Sequence, residues 1–248
     1  MSTVAGGTAL RTAIADQLAA AADERTRRWW ERYLKGAVPF RGVPMAGIRR
    51  IVHETWPTVG IDQEDAEVQI GLALGQLAEP YSEDKIAGVL ALSELLIDHL
   101  TVDHVPALAG PFERGHIEDW STCDWYCVKV LGRFVERGPD RRARDEAIGA
   151  WREASTLWQR RAAAVSFVNL APQGEQFYDG FTDLLLKVCA ANVGDPARFS
   201  QTSVGWLLRE LSGAEPDRVR VFLDDHGQSM SREARRAAAA RLPVAPGA

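Results

Sequence analysis

Cysteine is scarce in this chain: Cys123, Cys127 and Cys189 are the three in 248 residues. An odd and small number excludes a scaffold framed by disulfides. No positively charged, then apolar, then small-residue leader opens the sequence, so a reducing cytoplasm is the expected compartment. Long hydrophobic runs are missing as well. The stretch Ile86 to Ile97 is among the longest and carries Ser93 and Glu94, well short of the ~20 apolar residues a membrane helix needs. No membrane association is expected. The five histidines, His53, His99, His104, His116 and His226, are scattered without triad or ligand spacing. Cys123 and Cys127 stand at i, i+4 but have no second pair to complete a zinc site. Neither a metal nor another cofactor is expected.

Positive charge is also in deficit. The net charge of −5 lacks the basic footprint usual for a nucleic-acid binder. Its distribution is uneven: residues 1–130 carry 12 Lys+Arg against 19 Asp+Glu, and residues 131–248 carry 17 against 15. Arginines cluster at Arg141, Arg142 and Arg144 and again at Arg160 and Arg161. A local phosphate-binding face is compatible with an acidic whole, because affinity depends on the charges that reach the backbone while net charge acts at long range.

What is present is helix signal. The chain is 46% hydrophobic and 25% charged, enough apolar residues for a substantial core. Ala-rich runs (13–22 and 237–240) and apolar spacings of three and four in Val68 to Leu77 and Ile86 to Leu100 favour helix, and alternating β-branched runs are few. Breaks are expected at Pro39 to Pro44, Trp56 to Asp62, Glu79 to Ser82, Val105 to Gly115, Gly138-Pro139, Ala171 to Gly174, Gly194 to Pro196, Ser212-Gly213 and Asp225 to Gly227. Roughly a dozen helices result. Ser82 to Lys85 and Ser229 to Glu233 supply polar caps and early acids at helix starts. From Pro80 onward the breaks recur every few tens of residues, the period of helix-pair solenoids. The expected fold is all-α, one domain over residues 1–248.

Three fragments stand out within the helical stretches: Trp120 to Asp124, Trp158 to Arg161, and Gly205 to Glu210. Their tryptophans fall 38 and 48 residues apart, as equivalent faces of successive repeats would. Trp120 and Asp124 are four residues apart and share a helical face, which offers an indole and an anion together. An indole face and a carboxylate both attract positive charge, and arginine holds phosphate. A cationic alkylated nucleotide fits this set. From spacing alone, Asp124 reads equally as a surface acid or as an ion-pair partner of Arg161, and tryptophans at helical spacing read as core. Trp158 is expected to be core, and Arg209 to pair with Glu210 or another helix neighbour.

These fragments, with Tyr33-Leu34-Lys35-Gly36 and Pro39-Phe40-Arg41-Gly42-Val43, carry a family resemblance. The chain resembles the AlkD-like DNA alkylation-repair glycosylases, which are built from HEAT-like repeats, over nearly its whole length. Tyr33 to Val43 is similar to the family's tyrosine-containing opening segment. Trp120 to Asp124 is similar to its W-D-x-V-D, with Ser121 where the pattern has an acid. Trp158 to Ala163 is similar to its W-x-x-R-A-A, and Val204 to Glu210 to its I-G-W-x-L-R-E. Four ordered matches are specific where one alone is weak. The resemblance implies a right-handed superhelical array of antiparallel helix pairs with a concave DNA-binding groove. It implies Asp124 as the catalytic carboxylate, Trp120 and Trp206 as cleft walls, and Arg161 on a phosphate. Arg160, Tyr33 and Lys35 are further candidates for DNA contact.

The activity so implied is hydrolysis of the N-glycosidic bond of cationic N3- or N7-alkylated purines in duplex DNA by a monomer, without base flipping, strand cleavage or cofactor. Bulky natural-product adducts, removed by a self-resistance enzyme, are within its range. The alternative from another class is a noncatalytic helical-repeat adaptor that binds a protein or peptide in the same groove.

Overall fold

The computed structural model describes residues 3–138 and 140–243, and within them every regular element is a helix. The expected break at Gly138-Pro139 is only half covered, since Pro139 lies outside the described residues. The chain divides into two compact units, residues 1–130 and 131–248. Among the described residues no helix is long and apolar enough to cross a membrane.

The first unit contains α1 (Thr3–Ala20), α2 (Glu24–Tyr33), α3 (Met45–Thr58), α4 (Ala66–Gln76), α5 (Ser82–Leu90), α6 (Val105–Glu113) and α7 (Trp120–Tyr126). Its centre is α5, buried at all nine positions and packed against α1, α3, α4 and α7. The apolar spacing expected to run on to Leu100 ends as α-helix at Leu90 and continues as a π-turn, Ala91–Leu95. Two sequence expectations change here. The segment Val105 to Gly115, read as a break from its two prolines and two glycines, is helical as far as Glu113. Pro106 sits in the first turn, where its missing N–H costs nothing. Pro111 lies further in, a placement worth about 3 kcal/mol against the helix. Leu108 and Phe112 are fully buried, at about 1.5–3 kcal/mol each, and that outweighs the proline. Secondly, the early acids of α5 do not serve their own helix terminus, because Glu83 and Asp84 turn outward to residues 41–43.

The second unit contains α8 (Gly132–Glu136), α9 (Arg141–Gly149), α10 (Leu157–Val165), α11 (Phe181–Asn192), α12 (Arg198–Leu211), α13 (Pro216–His226) and α14 (Arg232–Ala239). Here α12 is central and touches α10, α11, α13 and α14. Gly205 explains the closeness of α14: a Cβ at this position would lie 2.6 Å from the Ala234 carbonyl oxygen, so only glycine lets the two helices approach. The expected Ser231 cap is present, with its side chain accepting from Ala234 N at 3.1 Å. The expected breaks at Gly194 to Pro196, Ser212-Gly213 and Asp225 to Gly227 fall at or next to helix ends.

Candidate functional site

α7 is short, and its start is fixed by sequence. Asp119 is the N-cap, and its carboxylate accepts from Thr122 N at 2.8 Å. Thr122, Cys123 and Tyr126 are fully buried, and the Tyr126 hydroxyl donates to the Leu108 carbonyl at 3.1 Å. The inward face is thereby pinned. The opposite face, one helical row away, carries Trp120, Ser121, Asp124 and Trp125, all half-buried. Trp120 and Asp124 lie within one helix, four residues apart, so indole and carboxylate are presented side by side. Ser121 and Trp125, with Trp30, Phe40 and Glu83, line a narrow cleft of about 30 Å³. That holds about one water, whereas pockets for drug-sized ligands run to hundreds of Å³.

The segment before α3 supports this face. Phe40 is buried and stacks on Trp30 with centroids 5.7 Å apart, and Tyr33 meets Trp120 edge-on at 5.6 Å. Gly42 has a φ of +98°, and a Cβ there would sit 2.2 Å from the Asp23 carbonyl oxygen. Buried Glu83 accepts from the backbone N–H groups of Arg41, Gly42 and Val43 at 2.9, 2.7 and 3.1 Å. Arg41 forms a two-point ion pair with buried Asp84, at 2.6 and 3.1 Å, and its guanidinium lies 4.2 Å from the Tyr81 ring centroid. Within this opening segment, then, residues 39–43 are framework. Tyr33 and Lys35 are exposed.

In the second unit, α10 starts at a Thr156 cap that accepts from Gln159 N at 3.3 Å. Arg161 is buried, and its Nη1 donates to the Phe199 carbonyl at 2.7 Å and to Thr202 Oγ1 at 3.2 Å. Phe199, Thr202 and Trp206 follow one another at i, i+3 and i+7 along α12, so Arg161 is anchored on the row that also carries half-buried Trp206. Arg160 is spent differently. It pairs with Asp195 at 2.9 Å and donates to the carbonyls of Ala154 and Ser155. Trp158, expected in the core, is only half-buried, 5.2 Å from the Phe199 ring. Arg209 pairs with Glu210 at 2.7 Å, as expected.

The cluster Arg141, Arg142 and Arg144 serves packing. Arg144 is buried, bonded to Asp140 at 2.8 Å and to the Phe134 carbonyl at 3.0 Å. Arg141 lies over the Phe177 ring and Arg142 over Tyr178. Adjacent arginines read as a surface run because sequence does not show the aromatic rings that cover them.

Two buried charged groups gave no sequence signal. Lys85 donates to the carbonyls of Leu77 and His116, both at 2.8 Å, and burial holds its pKa below the usual amine range. Its nitrogen is a strut between segments. Asp145 is fully buried, and neither carboxyl oxygen accepts a well-formed hydrogen bond among the described residues. Burial pushes its pKa up to about 7, an effect only partly offset by the nearby Tyr178 hydroxyl and the Arg141 charge. The three thiols are buried, with Cys123 and Cys127 Sγ atoms 3.9 Å apart. No group of three or more potential ligands gathers among the described residues.

No curated protein matches the chain. Among solved structures, one from Enterococcus faecalis, described as a predicted DNA alkylation repair enzyme, is similar, with a TM-score of 0.74 and 19% identity. The similarity covers 90% of this chain and 98% of that one, and at this identity it shows a shared all-α fold. The family described as DNA alkylation repair enzyme matches residues 14–242. A match over nearly the whole chain, on a fold shared with that neighbour, places the protein in the DNA alkylation repair enzyme family.

Proposed function

We propose that the chain is a monofunctional DNA glycosylase that hydrolyses the N-glycosidic bond of N3- or N7-alkylated purines in duplex DNA, acting as a monomer. The observation that carries the reading is the α7 face, where Trp120 and Asp124 stand together, half-exposed, on a helix locked from behind. In this proposal Trp120 and Trp206 contact the damaged nucleotide, Arg161 a neighbouring phosphate, and Tyr33 and Lys35 the flanking backbone, while Arg160 stays committed to Asp195.

The chemistry asks little of an acid. Alkylation at N3 or N7 already makes the purine cationic. When the C1′–N bond breaks, its electron pair neutralises the ring, and no proton need be delivered to the leaving group. The sugar becomes oxocarbenium-like, and Asp124 stabilises that charge while orienting a water whose oxygen bonds to C1′ and whose proton passes to the carboxylate. The cleft beside Trp125 is too small for an extruded purine, which supports attack on a stacked lesion and leaves bulky adducts within range. Lys85 is buried and held by two carbonyls, which supports plain hydrolysis over a Schiff-base route.

The test is DNA carrying 7-methylguanine or a bulky N3-adenine adduct, followed by alkali to reveal abasic sites. Wild type releases the base, and Asp124→Asn is slower by on the order of 100-fold or more. Release equal to the no-enzyme background from both proteins sinks the proposal in favour of the adaptor reading, which the acidic first unit also suits.

A further inference from the structure

α2 differs from every neighbour in its unit. None of its residues is buried, and Trp29 and Tyr33 are 51% and 54% exposed. Their rings lie parallel, with centroids 5.3 Å apart and planes within 10°, and Tyr33 continues edge-on to Trp120. One exposed aromatic on a surface needs no explanation; two stacked ones leave an apolar strip in water. On a helix, Arg25, Trp29 and Tyr33 form one row at i, i+4 and i+8. Arg28 and Arg32 lie in the row beside it, and Lys35 follows just past the helix end in a left-handed turn at φ +53°.

Charge singles out the same helix. Of the 12 Lys+Arg in residues 1–130, five fall between Arg25 and Lys35, inside a unit dominated by carboxylates. Arg27 and Arg28 are neutralised by Glu24 and Glu31. Arg25, Arg32 and Lys35 are exposed and form no salt bridge among the described residues. Stacked aromatic faces flanked by uncommitted cations match a strand that alternates flat bases with phosphates. An apolar protein helix is a poorer match, because the cations border the rings closely and would be desolvated without partners.

We infer that the Trp29–Tyr33 face of α2 binds unpaired nucleobases of a single DNA strand, stacked on the indole, with the adjoining phosphates on Arg25, Arg32 and Lys35. The strand binding stands on this geometry alone. Its use, to hold an unpaired segment flanking a lesion that itself stays stacked, rests on the glycosylase reading.

The experiment compares a short labelled oligothymidylate with an abasic strand of equal length by fluorescence anisotropy, using the full chain. The base-bearing strand should bind about tenfold more tightly. Trp29→Ala should erase that difference, Trp29→Phe should keep most of it, and Arg25→Ala with Arg32→Ala should weaken both strands alike and flatten the salt dependence. Trp29 is half in solvent, so an unchanged melting temperature separates lost contact from lost fold. Equal affinity for the two strands overturns the inference. So does a base preference that survives Trp29→Ala. Asp124→Asn should retain the base preference. If wild type shows the preference but releases no alkylated base, only the glycosylase reading fails; if it releases base without the preference, only this inference does.

Discussion

Replacing Glu83 with glutamine tests whether one buried carboxylate holds the surface on which Tyr33 and Trp120 meet. Glu83 is 2% exposed, and its two oxygens accept from three successive backbone N–H groups, those of Arg41, Gly42 and Val43. Hydrogen bonds to a charged group contribute about 1.5–3 kcal/mol each. Glutamine keeps one oxygen, enough for Gly42 and Val43 at reduced strength, but points an amide N–H at the Arg41 N–H. That leaves a buried donor without an acceptor, a cost of about 1–3 kcal/mol. With the weakened pair added, we expect Glu83→Gln to lose about 3 kcal/mol, out of a total that is typically 5–15. Glu83→Ala, which strands all three donors, should lose more. The Arg41–Asp84 pair remains in both and limits the loss. Urea unfolding gives the global figure, and hydrogen exchange at amides 41–43 the local one, expected to be about 100-fold faster than in wild type where opening is governed by this site. A glutamine variant within about 0.5 kcal/mol of wild type, with unchanged exchange at those amides, refutes the reasoning.

Gly42→Ala should cost more than about 2 kcal/mol, because a left-handed backbone coincides with a Cβ position 2.2 Å from the Asp23 carbonyl; a melting temperature equal to wild type contradicts this. Asp145 titrates near 3.8 when unfolded and at about 7 when folded, so the native state binds the extra proton. Its contribution is complete below about pH 4 and lost as pH rises through 7, by up to about 4 kcal/mol. Asp145→Asn should flatten the stability profile between about pH 4 and 7 and raise stability at pH 8, and parallel profiles for the two proteins dispose of the idea. Arg161→Lys replaces a planar guanidinium, whose Nη1 donates to both the Phe199 carbonyl and Thr202, with a point charge that cannot also hold a phosphate two-fold, so base release should slow by about tenfold; an unchanged rate removes Arg161 from the proposed phosphate contact.

What could be read from sequence was whatever depends on local periodicity. The helices, most of their ends and the i, i+4 relation of Trp120 to Asp124 follow from spacing, and so does the Arg209–Glu210 pair. What could not be read depends on partners distant in the chain. Pro106 and Pro111 look like breakers until Leu108 and Phe112 are seen in the core. Glu83 and Asp84 do stand at a helix start, but nothing local shows that residues 41–43 take up their carboxylates. Arg141 to Arg144 look like a phosphate face until Phe134, Phe177 and Tyr178 are found beneath them. Trp29 was missed although Arg27-Arg28-Trp29-Trp30-Glu31-Arg32-Tyr33 carries both signals it uses. Summed over the first half of the chain, five local cations vanish into an acidic total.

That acidic total suits the proposed reaction better than it suits DNA binding in general. A field of carboxylates in the first unit, where residues 1–130 hold 19 acids against 12 bases, opposes the approach of any polyanion. It favours an alkylated purine over a neutral one, because only the former carries positive charge, and it favours the oxocarbenium-like sugar more strongly still. Discrimination then needs no deep pocket to inspect the base, in keeping with the narrow cleft beside Ser121 and Trp125. The cost falls on affinity for the backbone. In the proposed complex it would be met locally, by the exposed cations of α2. A uniformly basic surface would bind all DNA more tightly and distinguish damaged from undamaged less well, since it would hold back the charge by which the lesion differs.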